Sequence, residues 1–335
     1  MIGPRRNHRL PAGVLPARPP GRAEDLGSRV RAKAPPPVER PPGPSVPLET
    51  PAERARSLVD ELLRRRPDGI APIVRRLLAL GNFALEELAE RFPGPLWRPS
   101  PSSDSGLLRP AEVSAIAVAI ATFEDEAIPY LARLMRQPSP KVRYYAASIC
   151  GAHEHTLLIP PLARLSLDED RDCRRVALHL LSTYQHDPQY RRALSELRHC
   201  ASDVAQPLAV RRRVISALTQ LRDEASLTLF VNLLADSDRG IATASRVGLR
   251  VLTAHDFGFA RDAWLRWLSE RGHDIRIQWL IEGLGDSRGN IRVLASRELW
   301  HQTRLLEPLS EASGRDEFLA AQQSYKRWWT RTHFE

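Results

Sequence analysis

Only three of the 335 residues are cysteine, and only Lys33, Lys141 and Lys326 among the 49 basic residues are lysine. Cys150, Cys173 and Cys200 are odd in number, form no C-x-x-C pair and lie among apolar neighbours. That pattern argues against a disulfide framework or thiolate metal site and predicts small core residues in a reducing compartment. No apolar run reaches the roughly 18 residues of a membrane-spanning helix. MIGPRRNHRLPAGVLPARPP, at the start, carries charge without the apolar stretch of a secretory signal, so a soluble, cytoplasmic protein is expected. No G-x-S-x-G occurs, and no cysteine stands beside a loop histidine. LGDSRG at 284–289 lacks the spacing and the Lys-Ser/Thr of a phosphate-binding loop and reads as a turn.

The 28 prolines would be too many for a helical protein if they were spread evenly, but 12 of them fall in the first 50 residues. That segment also holds nine basic residues and four acids, so it carries more than half of the net charge of +9. The remainder, with 40 basic and 36 acidic residues, is nearly balanced. A sequence pI near 10.0 invites a nucleic-acid reading. Here most of the excess sits in the tail, and an arginine bias reflects coding preference as readily as phosphate recognition.

What the chain does have is a repeat. PSPKVRYYAASIC, at 138–150, returns four more times as a polar turn, an apolar anchor, usually an arginine, and a non-bulky residue four places on. The anchors are Val142, Cys173, Val210, Ile241 and Ile291, separated by 31, 37, 31 and 50 residues. Arg143, Arg174, Arg211 and Arg292 follow the anchors, with Ala242 the departure, and Ala146, Ala177, Val214, Ser245 and Ala295 hold the fourth place. Spacings of this size with one amphipathic unit per period signal stacked helical pairs. One pair cannot bury its apolar face alone, so each unit leans on its neighbours.

The order predicted along the chain is a disordered Pro/Arg-rich tail over 1–50, an N-terminal helical cap over 51–94, a Ser/Pro-rich linker over 95–110 and the repeat array over 111–335. Thr50 is expected to cap the first helix with Pro51 at its first position, and Pro160-Pro161 to open another. The copies anchored at Ile241 and Ile291 read as an anchored helix, a loop insertion and a short Trp-bearing helix, and six of the seven tryptophans lie beyond residue 260.

The unit [VI]-R-x-x-[small], followed by a helix such as DEASLTLFVNLL and by D-x-D before the next anchor, resembles HEAT repeats. It is most similar to the short bacterial form called phycobilisome-lyase-type HEAT-like repeats, over roughly residues 111–305. The resemblance implies an all-α, right-handed α-solenoid. It also implies a ladder between neighbouring units in which the turn aspartate meets the helix arginine, with Asp168 and Arg174, and Asp286 and Arg292, as candidate rungs and gaps at Ala205 and Ala242. Bilin lyase activity is implied by name only.

Candidate chemistry is thin. His153-Glu154-His155 resembles the His-Glu pairs of the deoxyhypusine hydroxylase family, which needs several such pairs to hold iron, whereas this chain has one. His153 and His155 are also not helical neighbours. A HEAT-like DNA glycosylase would need a basic groove, a stacking aromatic and a carboxylate, and arginines next to one another on a helix do not form one patch. The reading is therefore a non-catalytic scaffold without cofactor or metal, presenting a concave helical surface to a protein partner. Candidate contacts are Arg175 and Arg212, which lie off the structural position, and Trp264, Trp267, Trp328 and Trp329, tryptophan being enriched at interaction hot spots. The same tryptophans also read as a structural cap. The alternative is a nucleic-acid binder that uses the array arginines and the basic tail.

Overall fold

The computed structural model describes residues 49–65, 67–97, 107–272 and 274–334; the tail and most of the linker expected from the sequence lie outside them. Every regular element among the described residues is a helix. None of those helices is long and apolar enough to cross a membrane. Glu49–Glu335 form one compact unit.

The N-terminal part comprises α1 (Pro51–Leu63), α2 (Ala71–Leu78) and α3 (Asn82–Glu90). Thr50 caps α1 as its sequence predicts: its hydroxyl accepts from Glu53 N at 3.2 Å, and its own N–H donates to Glu53 Oε2 at 2.8 Å. These helices do not stand apart from the array. α1 and α3 pack on α5 (Ala115–Ala121), which follows the short α4 (Pro110–Val113), and α3 also meets α6 (Ile128–Leu134). Leu58, Leu62 and Leu85 share one core with Ile116 and the residues beyond.

The array is a run of five hairpins, each a partner helix, a polar turn and an anchored helix. They are α6 with α7 (Pro140–Cys150), α8 (Ile159–Leu165) with α9 (Arg171–Leu181), α10 (Pro188–Ser202) with α11 (Leu208–Gln220), α12 (Leu227–Leu233) with α13 (Arg239–Thr253), and α15 (Arg276–Gly283) with α16 (Gly289–Thr303). Between the last two hairpins stands α14 (Arg261–Arg271), and α17 (Arg315–Phe334) ends the described chain. The helices stack in two layers. In one, α7 packs on α9, α11 on α13, and α13 on α16; in the other, α8 packs on α10, α10 on α12, α12 on α14, and α15 on α17. This is an α-solenoid.

The repeat pattern has a direct packing meaning. Ala146, Ala177, Val214, Ser245 and Ala295 are all completely buried, so the fourth place after each anchor is where neighbouring helices come closest. Cys173, Ile241 and Ile291 are equally buried, while Val142 and Val210 are half-buried. The turn motif D-x-D divides two tasks between its acids. Asp170 and Asp238 cap α9 and α13, accepting from Cys173 N at 2.9 Å and from Ile241 N at 2.8 Å. Asp168 and Asp236 instead reach back to the preceding anchored helix.

That last point corrects the expected ladder. The Asp168 carboxylate takes two hydrogen bonds of 2.8 Å from Arg143, and Asp236 takes one of 2.7 Å from Arg211, so each rung joins an arginine to the turn 25 residues later. Arg174 and Arg292 donate instead to the main-chain carbonyls of their own turns, at Asp168 and Glu169 and at Asp286 and Ser287. An arginine in the first turn of a helix lies beside its own loop backbone, and for Arg174 the Asp168 carboxylate has already been taken from the other side by Arg143. Ala242 has no guanidinium to offer Asp286, which pairs with Arg288 instead at 2.8 Å.

The C-terminal copies also differ from expectation. α15 is an additional helix: the 50-residue spacing between Ile241 and Ile291 is an ordinary hairpin with α14 inserted before it. α17 is a 20-residue helix rather than a short one.

Candidate functional site

The stacked hairpins bend far enough that Arg222, just past α11, meets Glu298 on α16, 76 residues away. An open cavity of about 820 Å³ lies on the face formed by the ends of α9, α11 and α16 and the start of α15. Its lining is polar. Arg175, Arg222, Arg276 and Arg304 supply four positive charges against the two carboxylates of Glu224 and Glu298, and His179 and His301 add imidazoles.

Glu298 organises the floor. Arg222 donates to both of its oxygens, through Nε at 3.0 Å and Nη2 at 2.8 Å, and Arg276 Nη2 adds a third bond of 2.8 Å. Burial opposes ionisation of Glu298, but the hydrogen bonds and charges of the two arginines outweigh it and hold the carboxyl below its ordinary value. Arg276 is itself buried, which pushes it down from the usual arginine range. It also donates to Val251 O at 3.2 Å and Leu252 O at 3.1 Å, satisfying carbonyls that the end of α13 leaves open.

Two of the arginines sit in an unusual backbone conformation. Arg222 and Arg304, each ending a helix, both have φ of 54°, a region that favours glycine and costs other residues about 1 kcal/mol or more. The side chains earn their place differently. Arg222 is consumed by Glu298, whereas the Arg304 guanidinium lies over the Trp300 ring, 3.8 Å from its centroid. Among the described residues Arg304 pairs with no carboxylate. Partial burial, followed by the charges of Arg222, Arg304 and Arg297, holds His301 below its ordinary value against the pull of Glu298.

The sequence-derived candidates divide. Arg175 lines the cavity and forms an exposed pair with Asp172 at 3.2 Å. Arg212 lines a cleft of about 190 Å³ next to it; the two share Leu178 and Gln220. Trp264 and Trp267 are in the core, not on a surface. They pack with Phe257, His255 and Trp279 at centroid distances of 4.8 to 6.3 Å, and Trp264 Nε1 donates to Gly258 O at 3.1 Å. The reason is α14: the helix that carries them is inserted between two hairpins, and its three-residue Trp spacing points both rings inward. Trp328 and Trp329 are half-buried on α17 with centroids 6.1 Å apart, resting partly on a second core cluster that contains Phe318 and Tyr325.

The His153-Glu154-His155 segment splits in the same way. His153 is buried, and burial pushes its pKa down; His155 Nδ1 accepts from Leu157 N at 3.1 Å and caps its own turn. Burial also pushes the Cys150 and Cys173 thiols up to about 12, which makes both inert at neutral pH. The sequence reading missed Arg222, Arg276, Glu298, His301 and Arg304. Nothing local marks them, since the site comes from the bend of the stack.

No family model matches the chain, and no curated protein matches it. Among solved structures, a designed armadillo repeat protein, YIII(Dq)4CqI, is similar over 73% of this chain and 98% of its own, at 14% identity and a TM-score of 0.27. So distant a likeness carries no argument. The helical-repeat character rests on the five hairpins themselves, and the narrower resemblance to phycobilisome-lyase-type repeats gains no support.

Proposed function

We propose that this chain is a non-catalytic binding scaffold whose concave face, floored by Glu298 and rimmed by Arg175 and Arg304, receives a protein partner. The observation that carries the reading is the cavity itself: about 820 Å³ of polar space assembled from separate hairpins, with a buried and fully paired floor. A preformed surface on a rigid support costs little ordering on binding. The step from solenoid to scaffold is otherwise an analogy of architecture. Arg212, in the adjoining cleft, would extend the surface along α11, and Trp328 and Trp329 would form a separate contact on α17.

A nucleic-acid role is less well supported. Arg143, Arg198, Arg211, Arg222 and Arg246 are all engaged by carboxylates of the chain, so these guanidiniums are not on offer to phosphates. The test is selection of binders from a random peptide library by the full chain, repeated with an Arg175→Glu, Arg304→Glu double variant. The reading expects enriched peptides that the double variant no longer retains. No enrichment, or peptides that both proteins hold equally, would refute it.

A further inference from the structure

We infer that the cavity's occupant is an extended acidic segment of the partner, its carboxylates taken by Arg304 and Arg175 and its main chain by the side-chain amides of Gln220 and Gln302. The inference rests on the scaffold reading and adds to it the chemistry of the ligand.

The charge argument comes from what the floor has already used. Glu298 is saturated by Arg222 and Arg276, so those two guanidiniums are committed within the protein. Arg304 has only the Trp300 ring beneath it, and that ring holds the guanidinium in place without neutralising it. Arg175 is paired with Asp172, but both side chains are about half exposed, at 44% and 53%, and an exposed pair is worth so little that an incoming carboxylate exchanges for it readily. The rim thus offers guanidinium forks whose shape matches a carboxylate. The four guanidiniums of the lining outnumber the carboxylates of Glu224 and Glu298, and that excess of positive charge disfavours a basic ligand in the same space.

The amides decide between kinds of acidic ligand. Gln302 accepts from Arg276 through Oε1 at 3.3 Å, which leaves its NH₂ to donate. Gln220 donates to Ser216 Oγ at 3.1 Å, which leaves its carbonyl to accept. One spare donor and one spare acceptor match the C=O and N–H of an extended peptide. A single-stranded nucleic acid would want aromatic faces on which to stack, and no Phe, Tyr or Trp is among the described lining residues. Trp300 does not supply that face, since Arg304 lies over its ring.

The experiment is fluorescence anisotropy with the full chain and labelled probes: a short peptide of alternating glutamate and serine, the same peptide with glutamine or lysine for glutamate, and oligo-dT. The variants are Arg304→Gly, which suits the φ of 54° and so keeps the turn, Arg175→Gln, and Arg133→Gln as a control on the remote exposed pair with Glu86. The expected result is binding of the glutamate peptide, weaker by about tenfold or more for the glutamine peptide. Both groove variants weaken it and the control does not. Equal binding of glutamate and glutamine peptides, lost in Arg304→Gly, overturns the acidic assignment and leaves the scaffold reading standing. Absence of glutamate-peptide binding overturns the assignment, and library selection then decides the scaffold. If oligo-dT alone binds and Arg304→Gly abolishes that binding, both readings fail together.

Discussion

Glu298 on α16 ties together residues that the sequence places far apart. Its side chain is 5% exposed, and it satisfies two arginines that reach it from different hairpins. Glu298→Gln keeps the shape but leaves two guanidiniums facing a neutral amide, and breaking a buried pair in this way costs about 3–5 kcal/mol. Urea denaturation of both proteins at neutral pH should show that loss as a lower midpoint. Its pH dependence has a definite sign. Because the folded-state pKa of Glu298 is lowered, its contribution is fully present above the ordinary carboxylate value and is lost as pH falls through the folded value. The wild-type advantage over Glu298→Gln should therefore be constant from neutral pH to about pH 5 and shrink below about pH 4. At this scale the sequence told least. Arg222 and Glu298 are 76 residues apart, and their meeting depends on the summed rotation of intervening helices. The aspartates of the turns were legible as rungs, but their partners were not: a separation of 25 residues across hairpins won over one of six within a hairpin.

Helix approach is the matching issue for the elements. Gly248 on α13 faces Phe230 of α12 so closely that an added Cβ would lie 2.6 Å from the Phe230 ring and 2.8 Å from Thr219 Oγ1. Phe230 is completely buried, and the Thr219 hydroxyl is tied to Ile215 O at 2.8 Å, so neither yields easily. Gly248→Ala should thus destabilise by about 1–3 kcal/mol, as overpacking does. Gly289→Ala, at the first position of α16, meets only the Arg292 guanidinium tip at 3.5 Å and should stabilise by about 0.4–1 kcal/mol through the unfolded chain. Thermal melts of the two variants should move in opposite directions, and equal shifts would contradict the packing assigned to α12 and α13. Elements were where the sequence spoke most clearly. The small residue four places past each anchor, the Thr50 cap and the prolines opening α8 were legible because each is a local rule. α15 was not, because it has only eight residues, begins with the buried Arg276 and follows a polar stretch that masks its apolar face. Missing it also hid the insertion of α14, and with it the burial of Trp264 and Trp267.

Across the whole molecule, one hydrophobic core runs from Leu58 on α1 to Trp279 on α15, with a second cluster beneath α17. A solenoid of this kind owes its stability to neighbour contacts and its function to the surface that the stack exposes. Composition alone, with a pI near 10.0, pointed to nucleic acid, yet several arginines of the array are spent on carboxylates of the chain, and four others line one cavity, two of them holding its Glu298 floor. The central claim is that this cavity is the binding surface. Hydrogen–deuterium exchange of the full chain, with and without the glutamate–serine peptide, tests it most directly. The account predicts slowed exchange at the C-terminal ends of α9, α11 and α16 and none at α17. Protection centred on Trp328 and Trp329, with the three helix ends unchanged, would contradict it.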